Sequence, residues 1–147
     1  MARLFKQTRL IALLAFAMLT TAAAIAPAQA QQPVRTKVVV QVSEADPAKW
    51  NLALNNVRNL QADLGAANID IELVAYGPGI GMLKADSAVG NRIDEVLGAG
   101  VKVLACENTM RGAKLTPADM LGKVGYVASG VVEITQRQMQ GWAYLRP

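Results

Sequence analysis

The sequence predicts an α/β fold in which helices cover both faces of a mainly parallel sheet, with flavodoxin-like layering. Strand patterns and helix patterns alternate along the chain from Val34 onward, as they do in chains built from β-α-β units. The first strand segment is β-branched and largely apolar, which is typical of a strand buried on both faces. Ligand sites in such folds lie at the carboxyl ends of the strands, so the loops there are the candidate functional segments.

Residues 1–30 are predicted to be an export signal that precedes a single domain, residues 31–147. Met1–Arg9 carries only positive charges, Leu10–Leu19 is apolar, and Ala28–Ala30 has the A-x-A pattern of a cleavage site. An apolar run of about ten residues is shorter than the ~20 that a transmembrane helix needs, although an uncleaved anchor stays an alternative. We therefore expect cleavage after Ala30, and a periplasmic or secreted bacterial protein with no membrane attachment thereafter.

The composition excludes several classes of function. The chain has no histidine and one cysteine. These counts exclude Ser-His-Asp catalysis, histidine-containing zinc sites and internal disulfides, so we expect neither a metal nor a cofactor. Three of the 15 Lys and Arg residues lie in the predicted signal, which leaves 12 against 11 acidic residues. A domain so nearly neutral is not expected to bind nucleic acid.

The first half of the domain reads as strand, helix, strand. Val34–Val42 forms the first predicted strand. A helix follows, with Asp46 as its N-cap, Pro47 at its first position and Gly65 at its end. Apolar side chains recur along this helix at spacings of three and four residues, so one side of it faces the core. Asn68–Tyr76 forms the second strand.

The second half repeats this alternation, with shorter elements. The predicted order is a helix at Ser87–Leu97, a strand at Val101–Cys106, a short helix that starts with Thr116–Asp119, a strand at Val124–Ala128, and a final helix from residue 129 to about residue 144. In that last segment, Trp142 and Tyr144 either pack on the sheet or fill a subunit interface.

Cys106 is the candidate catalytic residue, because it ends a predicted strand. If the following segment turns into a helix, its free backbone N–H groups stabilise a thiolate, and Arg111 adds positive charge. The alternative is a small, buried, structural side chain, since free cysteine is among the most buried residue types. An unpaired cysteine in an exported protein favours a reactive thiol or an intermolecular bridge.

A candidate ligand-binding loop follows the second strand. In Tyr76-Gly77-Pro78-Gly79 the glycines permit close approach of the backbone to a ligand, and Asn108 and Arg111 are assigned to the same site. The spacing matches neither the dinucleotide-binding pattern nor the Walker pattern. A tight turn between strand and helix is the alternative interpretation of this loop.

Taken together, four segments resemble the DsrE/DsrF-like family, in particular its small exported, stand-alone members. They are VVVQV (Val38–Val42) leading to Trp50, YGPGIGML (Tyr76–Leu83), VKVLACENTMRG (Val101–Gly112) and YVASGVVEITQRQMQGWAYLRP (Tyr126–Pro147). The resemblance implies a trimer or hexamer of this chain. It also implies that the residue matching Cys106 carries sulfane sulfur as a persulfide and exchanges it with a donor or acceptor protein. Many members have histidine where Tyr76 stands here, so this chain lacks that proton carrier.

Three hypotheses for the function follow. The first is an exported sulfur carrier, at most sulfurtransferase-like, that uses Cys106. The second is a non-enzymatic ligand-binding or assembly module in which the cysteine is structural. The third is a thiol redox sensor that forms an intermolecular disulfide through Cys106.

Overall fold

A five-stranded parallel sheet forms the centre of the molecule, in the strand order β4-β3-β2-β1-β5. A computed structural model describes residues 35–147, so the predicted export signal and its cleavage site lie outside the described residues. The strands are β1 (Thr36–Val42), β2 (Ile69–Ala75), β3 (Lys102–Cys106), β4 (Gly125–Val127) and β5 (Ala143–Leu145). The predicted α/β fold with a parallel sheet is confirmed.

Helical segments make the connections between these strands. The α-helices are α1 (Pro47–Leu64), α2 (Gly90–Gly98), α3 (Glu107–Gly112) and α4 (Gly130–Met139). Short 3-10 segments cover Ala66–Asn68, Gly77–Leu83 and Pro117–Asp119. In the described part of the chain, no helix has the length and apolar character that a membrane crossing requires.

The N-terminus of α1 forms where the sequence predicts it. Asp46 has an extended backbone, and its Oδ1 accepts a hydrogen bond of 2.8 Å from the Ala48 N–H, while Pro47 occupies the first turn. The Trp50 indole N–H donates to the Glu44 carbonyl at 2.7 Å, which ties the first turn of α1 to the end of β1. At the other end, Gly65 has a φ of 82° and its N–H donates to the Gln61 carbonyl. These contacts set the limits of the helix on both sides.

Helices lie on both faces of the sheet, for a topological reason. The chain steps from β1 to β4 in one direction across the sheet and then returns past all of them to place β5 beside β1. Because crossovers between parallel strands are right-handed, reversing the direction moves the connection to the opposite face. The connections before β4 therefore share one face, and α4 is the one α-helix of residues 35–147 that lies on the other.

The two faces carry unequal cores. The face under α1 and α2 holds the main core, which includes Val38, Val40, Leu54 and Ile93. The face under α4 holds a smaller cluster of buried residues, namely Val39, Val74 and Ile134, with Tyr76, Leu104, Val127 and Trp142 packed against it. The alternation of Val38, Val39 and Val40 between the two clusters follows from the two-residue period of a strand.

The prediction of a final helix to about Tyr144 is wrong. The helix α4 ends at Met139, Gly141 adopts a φ of 80°, and the Trp142 N–H donates to the Arg137 carbonyl at 3.0 Å. This turn redirects the chain so that Ala143–Leu145 pairs with β1 as a fifth strand. Trp142 lies in this turn and packs on the small cluster beneath α4, whereas Tyr144 is part of the edge strand β5.

Two other predicted helices differ from the structure in extent or type. The helix predicted from Ser87 begins at Gly90, because the Gly90 N–H donates to the Ser87 carbonyl in a turn that precedes it. The segment at Thr116–Asp119 is a single 3-10 turn, in which Asp119 Oδ2 accepts from the Thr116 N–H at 2.7 Å. The segment after Cys106 does turn into a helix, which is α3.

Candidate functional site

The carboxyl ends of β3 and β4 form the topological switch point of the sheet. The connection that leaves β3 lies on the α1 face, whereas the connection that leaves β4 is α4, on the opposite face. The two helices that follow these strands therefore diverge and leave a crevice between their N-termini, the usual place for a ligand in an open α/β sheet. Cys106 is the last residue of β3 and pairs with Val127 of β4, so its side chain lies at this crevice.

The Cys106 thiol is enclosed at the N-terminus of α4. Its Sγ accepts a hydrogen bond of 3.2 Å from the Gly130 N–H, and the residue is only 4% exposed. A side chain added at residue 130 would meet Tyr76 Cβ at 3.0 Å and Val74 at 3.2 Å, so glycine permits this close packing. Because residue 130 has no side chain, the backbone of α4 comes close to the sheet, and this brings the Gly130 N–H to the Cys106 sulfur.

The surroundings of Cys106 favour the thiolate. Burial raises the pKa of the thiol, but hydrogen bonding from the Thr109 hydroxyl and from the backbone N–H groups of Gly130, Thr109 and Asn108 outweighs it. The net effect is a pKa below the ordinary value for cysteine. The site can thus supply the nucleophilic form of the sulfur.

The loop after β2 positions Thr109. The Gly77 N–H donates to Thr109 Oγ1 at 2.9 Å, which leaves the hydroxyl proton free to point toward Cys106. Gly77 itself has a φ of 54°, a backbone conformation that favours glycine. The predicted ligand-binding loop is thus brought to the site, where it orients a residue that contacts the thiol.

Pro78 and Gly79 pack this loop against the end of β1. They lie in the 3-10 segment Gly77–Leu83, and a Cβ at residue 79 would lie 2.4 Å from the Val42 carbonyl oxygen. This separation is too short for any side chain, so Gly79 is required by the packing of two backbones. The close approach that the glycine pattern predicts is made to β1.

Tyr76 lies beside Cys106 on the α4 face of the sheet. Ala75 pairs with Ala105, so the next residue on each strand brings Tyr76 next to Cys106, at the spacing of about 4.8 Å between neighbouring strands. The Tyr76 side chain packs with the small cluster under α4. Tyr76 is therefore adjacent to the thiol in space.

Asn108 and Arg111 lie on the exposed side of α3. The Arg111 guanidinium donates to the Asn108 side-chain oxygen, so the two polar groups bind each other at the surface. The Asn108 N–H donates to the Ala128 carbonyl at 3.2 Å and links the ends of β3 and β4. These residues frame the crevice, while the groups nearest to the sulfur are those of Thr109 and Gly130.

Sequence reasoning did not find Thr109 or Gly130. A threonine one turn after Cys106 and a glycine after Ser129 are weak signals, because both residue types are common where helices begin. Their role appears only when the chain brings α4 back beside β3. Within residues 35–147, no group of three His, Cys, Asp or Glu side chains is arranged to hold a metal ion.

The chain is similar to a known protein family and to several solved structures. The model of the DsrE/DsrF-like family matches residues 36–147. The structure of protein of unknown function MTH1491 from Methanobacterium thermoautotrophicum is 42% identical, covers 76% of this chain and 99% of its own, and superposes with a TM-score of 0.73. No curated protein matches the chain significantly.

Two further solved structures share the fold at low identity. The conserved protein of unknown function BT1422 from Bacteroides thetaiotaomicron is 16% identical over 76% of this chain and 94% of its own, with a TM-score of 0.61. The ychN protein from E. coli is 14% identical over 77% of this chain and 99% of its own, with a TM-score of 0.62.

Proposed function

The chain belongs to the DsrE/DsrF-like family, which is related to sulfur-relay proteins, and we propose that it carries sulfane sulfur as a persulfide on Cys106. The environment of the Cys106 thiol is the observation that carries this proposal. The thiol lies at the switch point of the sheet, and the Gly130 N–H and the Thr109 hydroxyl favour its ionised form. A persulfide carrier needs this thiolate and no cofactor.

The proposed transfer balances without a redox partner. The Cys106 thiolate attacks the outer sulfur of a donor, the sulfur–sulfur bond of the donor breaks, and the donor leaves as a thiolate. The thiolate of an acceptor then attacks the outer sulfur on Cys106 and restores the starting state. Because the chain has one cysteine, the donor and the acceptor supply every other sulfur in the cycle. The activity is at most that of a sulfurtransferase.

Because the Cys106 thiol is buried, sulfur transfer requires a local movement of the protein. At 4% exposure, Cys106 meets a donor only after a displacement of the side chains or of the α4 N-terminus that cover it. This same burial supports a second candidate function, a non-enzymatic ligand-binding or assembly module in which Cys106 is structural. The two candidates differ in whether Cys106 reacts.

Export and self-association belong to the same proposal. The basic and apolar pattern of residues 1–30 supports export to the periplasm or the outside of the cell. Three apolar side chains on α4 support assembly into a homo-oligomer, because Val131, Val132 and Met139 are 56%, 51% and 83% exposed. A donor or acceptor protein in that compartment would be the partner in transfer.

Intact mass spectrometry after treatment with inorganic polysulfide tests the proposal. The mature protein is incubated, desalted and alkylated beside Cys106→Ser, and the thermal unfolding of both proteins is measured to confirm that they are folded. We expect the wild type to gain the mass of one or more sulfur atoms and the variant to gain none. A folded wild type that stays unmodified would make the structural interpretation of Cys106 the correct one.

A further inference from the structure

A cavity of about 320 Å³ opens between α4 and the two strands β1 and β5. It is lined by Gln41 and Tyr144 from the sheet, by Tyr76 directly after β2, and by Val131, Thr135 and Gln138 from α4, with Ile134 beneath. None of these side chains is charged. The volume lies at the lower end of the range of about 300–1,000 Å³ that is typical of small-molecule sites. A small organic molecule therefore fits, with neutral hydrogen-bonding groups around it.

The polar groups of this cavity are held in place before any ligand enters. The Tyr144 hydroxyl donates to Gln41 Oε1 at 2.7 Å, and Gln41 Nε2 donates to Ser43 Oγ at 3.2 Å. Gln41 is only 8% exposed, so these bonds fix a buried amide at the wall. Tyr76 lines the same cavity and adds a second aromatic side chain to its wall.

An ion pair stands beside this neutral cavity. The Arg146 guanidinium pairs with the Glu44 carboxylate, which also accepts hydrogen bonds from Ser43. Glu44 is linked to the cavity wall, because its Oε2 accepts a hydrogen bond of 3.1 Å from the Ser43 hydroxyl, which in turn accepts from Gln41 Nε2 at 3.2 Å. Arg146 follows the lining Tyr144 by two residues. A cation and an anion side by side are complementary to the carboxylate and ammonium of a zwitterion.

The inner end of the cavity reaches the surroundings of Cys106. Tyr76 lines the cavity and neighbours Cys106 across the sheet, and Val131 lines it directly after Gly130, whose N–H binds the sulfur. One side chain and one peptide unit therefore separate the cavity from the thiol. A ligand anchored at the ion pair would extend toward Cys106.

From this arrangement we infer that the cavity binds the sulfur donor, and that the donor is a small zwitterionic organic persulfide of amino-acid size. The inference rests on the proposed function. The Cys106 thiolate attacks the terminal sulfur of R–S–SH, so that Cys106–S–SH forms, the sulfur–sulfur bond of the donor breaks, and R–S⁻ leaves. One sulfur atom with its proton moves between two thiolates, and no oxidant or reductant is consumed.

The test compares two donors and two substitutions at adjacent residues of one helix. Thr135→Trp fills the cavity, whereas Gln136→Trp places the same bulk on the next residue of α4, which does not line it. Cysteine persulfide and inorganic hydrodisulfide are the donors, and the loading rate of Cys106 is measured at increasing concentration of each. Calorimetry of Cys106→Ser with S-methylcysteine, an unreactive thioether, measures binding without reaction.

We expect the wild type to saturate with cysteine persulfide and to prefer it over inorganic hydrodisulfide. Thr135→Trp should lower this preference at least tenfold and abolish the calorimetric signal, while Gln136→Trp retains both. Equal preferences in the two variants would overturn the inference, and so would a change in oligomer mass caused by Thr135→Trp alone, which would show a second copy at the cavity. Failure of both donors to load the wild type would instead overturn the proposed function.

Discussion

Two opposing effects set the ionisation of Cys106. Enclosure removes water from the thiolate and raises the pKa, whereas the Thr109 hydroxyl and the backbone N–H groups of Gly130, Thr109 and Asn108 lower it by a larger amount. A thiolate stabilised by donors in an enclosed site differs from one stabilised by solvent, because its donors are fixed by tertiary structure. The nucleophilicity of this sulfur is therefore sensitive to single hydrogen bonds.

Removing the Thr109 hydroxyl tests this sensitivity. In Thr109→Val the thiolate loses a donor while the bulk of the side chain stays, so the pKa of Cys106 rises toward its ordinary value. Because a hydrogen bond to a charged group contributes about 1.5–3 kcal/mol, the midpoint of the pH profile of Cys106 should move clearly to higher pH. The pH profile of iodoacetamide alkylation, followed by mass spectrometry, measures the change.

Thr109→Ser is the matched variant for that experiment, because it keeps the hydroxyl that accepts from the Gly77 N–H. Its alkylation profile should stay close to that of the wild type, whose midpoint lies below that of an ordinary thiol. If the profiles of Thr109→Val and the wild type coincide, Thr109 does not stabilise the thiolate.

The segment Gly77–Leu83 supports the site indirectly, because it orients Thr109 and does not itself contact the Cys106 sulfur. It turns directly after β2, packs its backbone against the end of β1 and donates through the Gly77 N–H to Thr109. The pattern of alternate glycines in the sequence predicts a close backbone approach. The sequence could not reveal that the approach is made to Val42, because that contact depends on the pairing of β1 with β2.

Gly79→Ala should disrupt this packing. The added Cβ would lie 2.4 Å from the Val42 carbonyl oxygen and 2.9 Å from Ser43 Cα, and neither backbone atom can rotate away. We expect the free energy of unfolding to fall by about 3 kcal/mol, the upper part of the usual range for an overpacked site. Urea denaturation followed by circular dichroism gives the value.

Gly98→Ala is the control for that substitution. Gly98 ends α2 and has no atom within 4 Å of an added Cβ, so its replacement should leave stability unchanged or raise it by less than about 1 kcal/mol. Similar losses in the two variants would mean that the loss reflects glycine replacement in general. A stable Gly79→Ala protein would contradict the close contact with β1.

The strand β5 could not be predicted from the periodicity of the sequence alone. The order of strands and helices up to β4 follows from local patterns, as does the position of Cys106 at a strand end. The segment after Met139 does not, because Trp142 and Tyr144 fit a helix face as well as a strand. Pairing of Ala143–Leu145 with β1 decides between the two, and that pairing joins residues about a hundred positions apart.

At the scale of the whole molecule, α4 is the connection that joins the two edges of the sheet. It starts at β4, crosses the sheet face and delivers the chain to β5, yet the buried apolar cluster beneath it is small. An ion pair adds to this attachment. Arg137 contacts the fully buried Glu72 of β2, through Nε at 3.1 Å and through Nη2 at 2.9 Å, where the second contact is one of charge rather than an aligned hydrogen bond.

Arg137 also contacts two residues near it in the chain, Glu133 and Trp142. Its Nη2 lies 2.8 Å from Glu133 Oε1, one turn earlier, and its guanidinium stacks on the Trp142 ring at 4.8 Å from the centroid. The sheet residue beside Glu72 on β3 is Lys102. Burial raises the pKa of Glu72, Arg137 opposes this rise, and Glu133 adds to it. Arg137 is therefore the cation that permits a charged carboxylate beneath α4.

Arg137→Met should destabilise the protein in a pH-dependent way. Removing one partner of a buried pair typically costs about 3 kcal/mol or more, because the other charge stays buried without compensation. Without Arg137 the pKa of Glu72 rises further above its unfolded value. The loss of stability is then small at a pH where Glu72 is protonated in both the folded and the unfolded protein. It grows as the pH rises from the folded-state pKa of Glu72 in the wild type toward the higher folded-state pKa in the variant. Urea denaturation of the wild type and the variant at pH 5 and pH 8 measures this difference.

Two further variants separate the contact of Arg137 with Glu72 from its contact with Glu133. Glu133→Gln removes only the partner within the helix, and we expect a loss of about 0.5 kcal/mol or less, with little dependence on pH. Glu72→Leu combined with Arg137→Met replaces the buried pair by apolar side chains, and it should recover most of the stability that the single change removes. A double variant no more stable than Arg137→Met would show that α4 depends on the contacts of Arg137 with Trp142 and Glu133, and that the charge on Glu72 is not the cause of the loss.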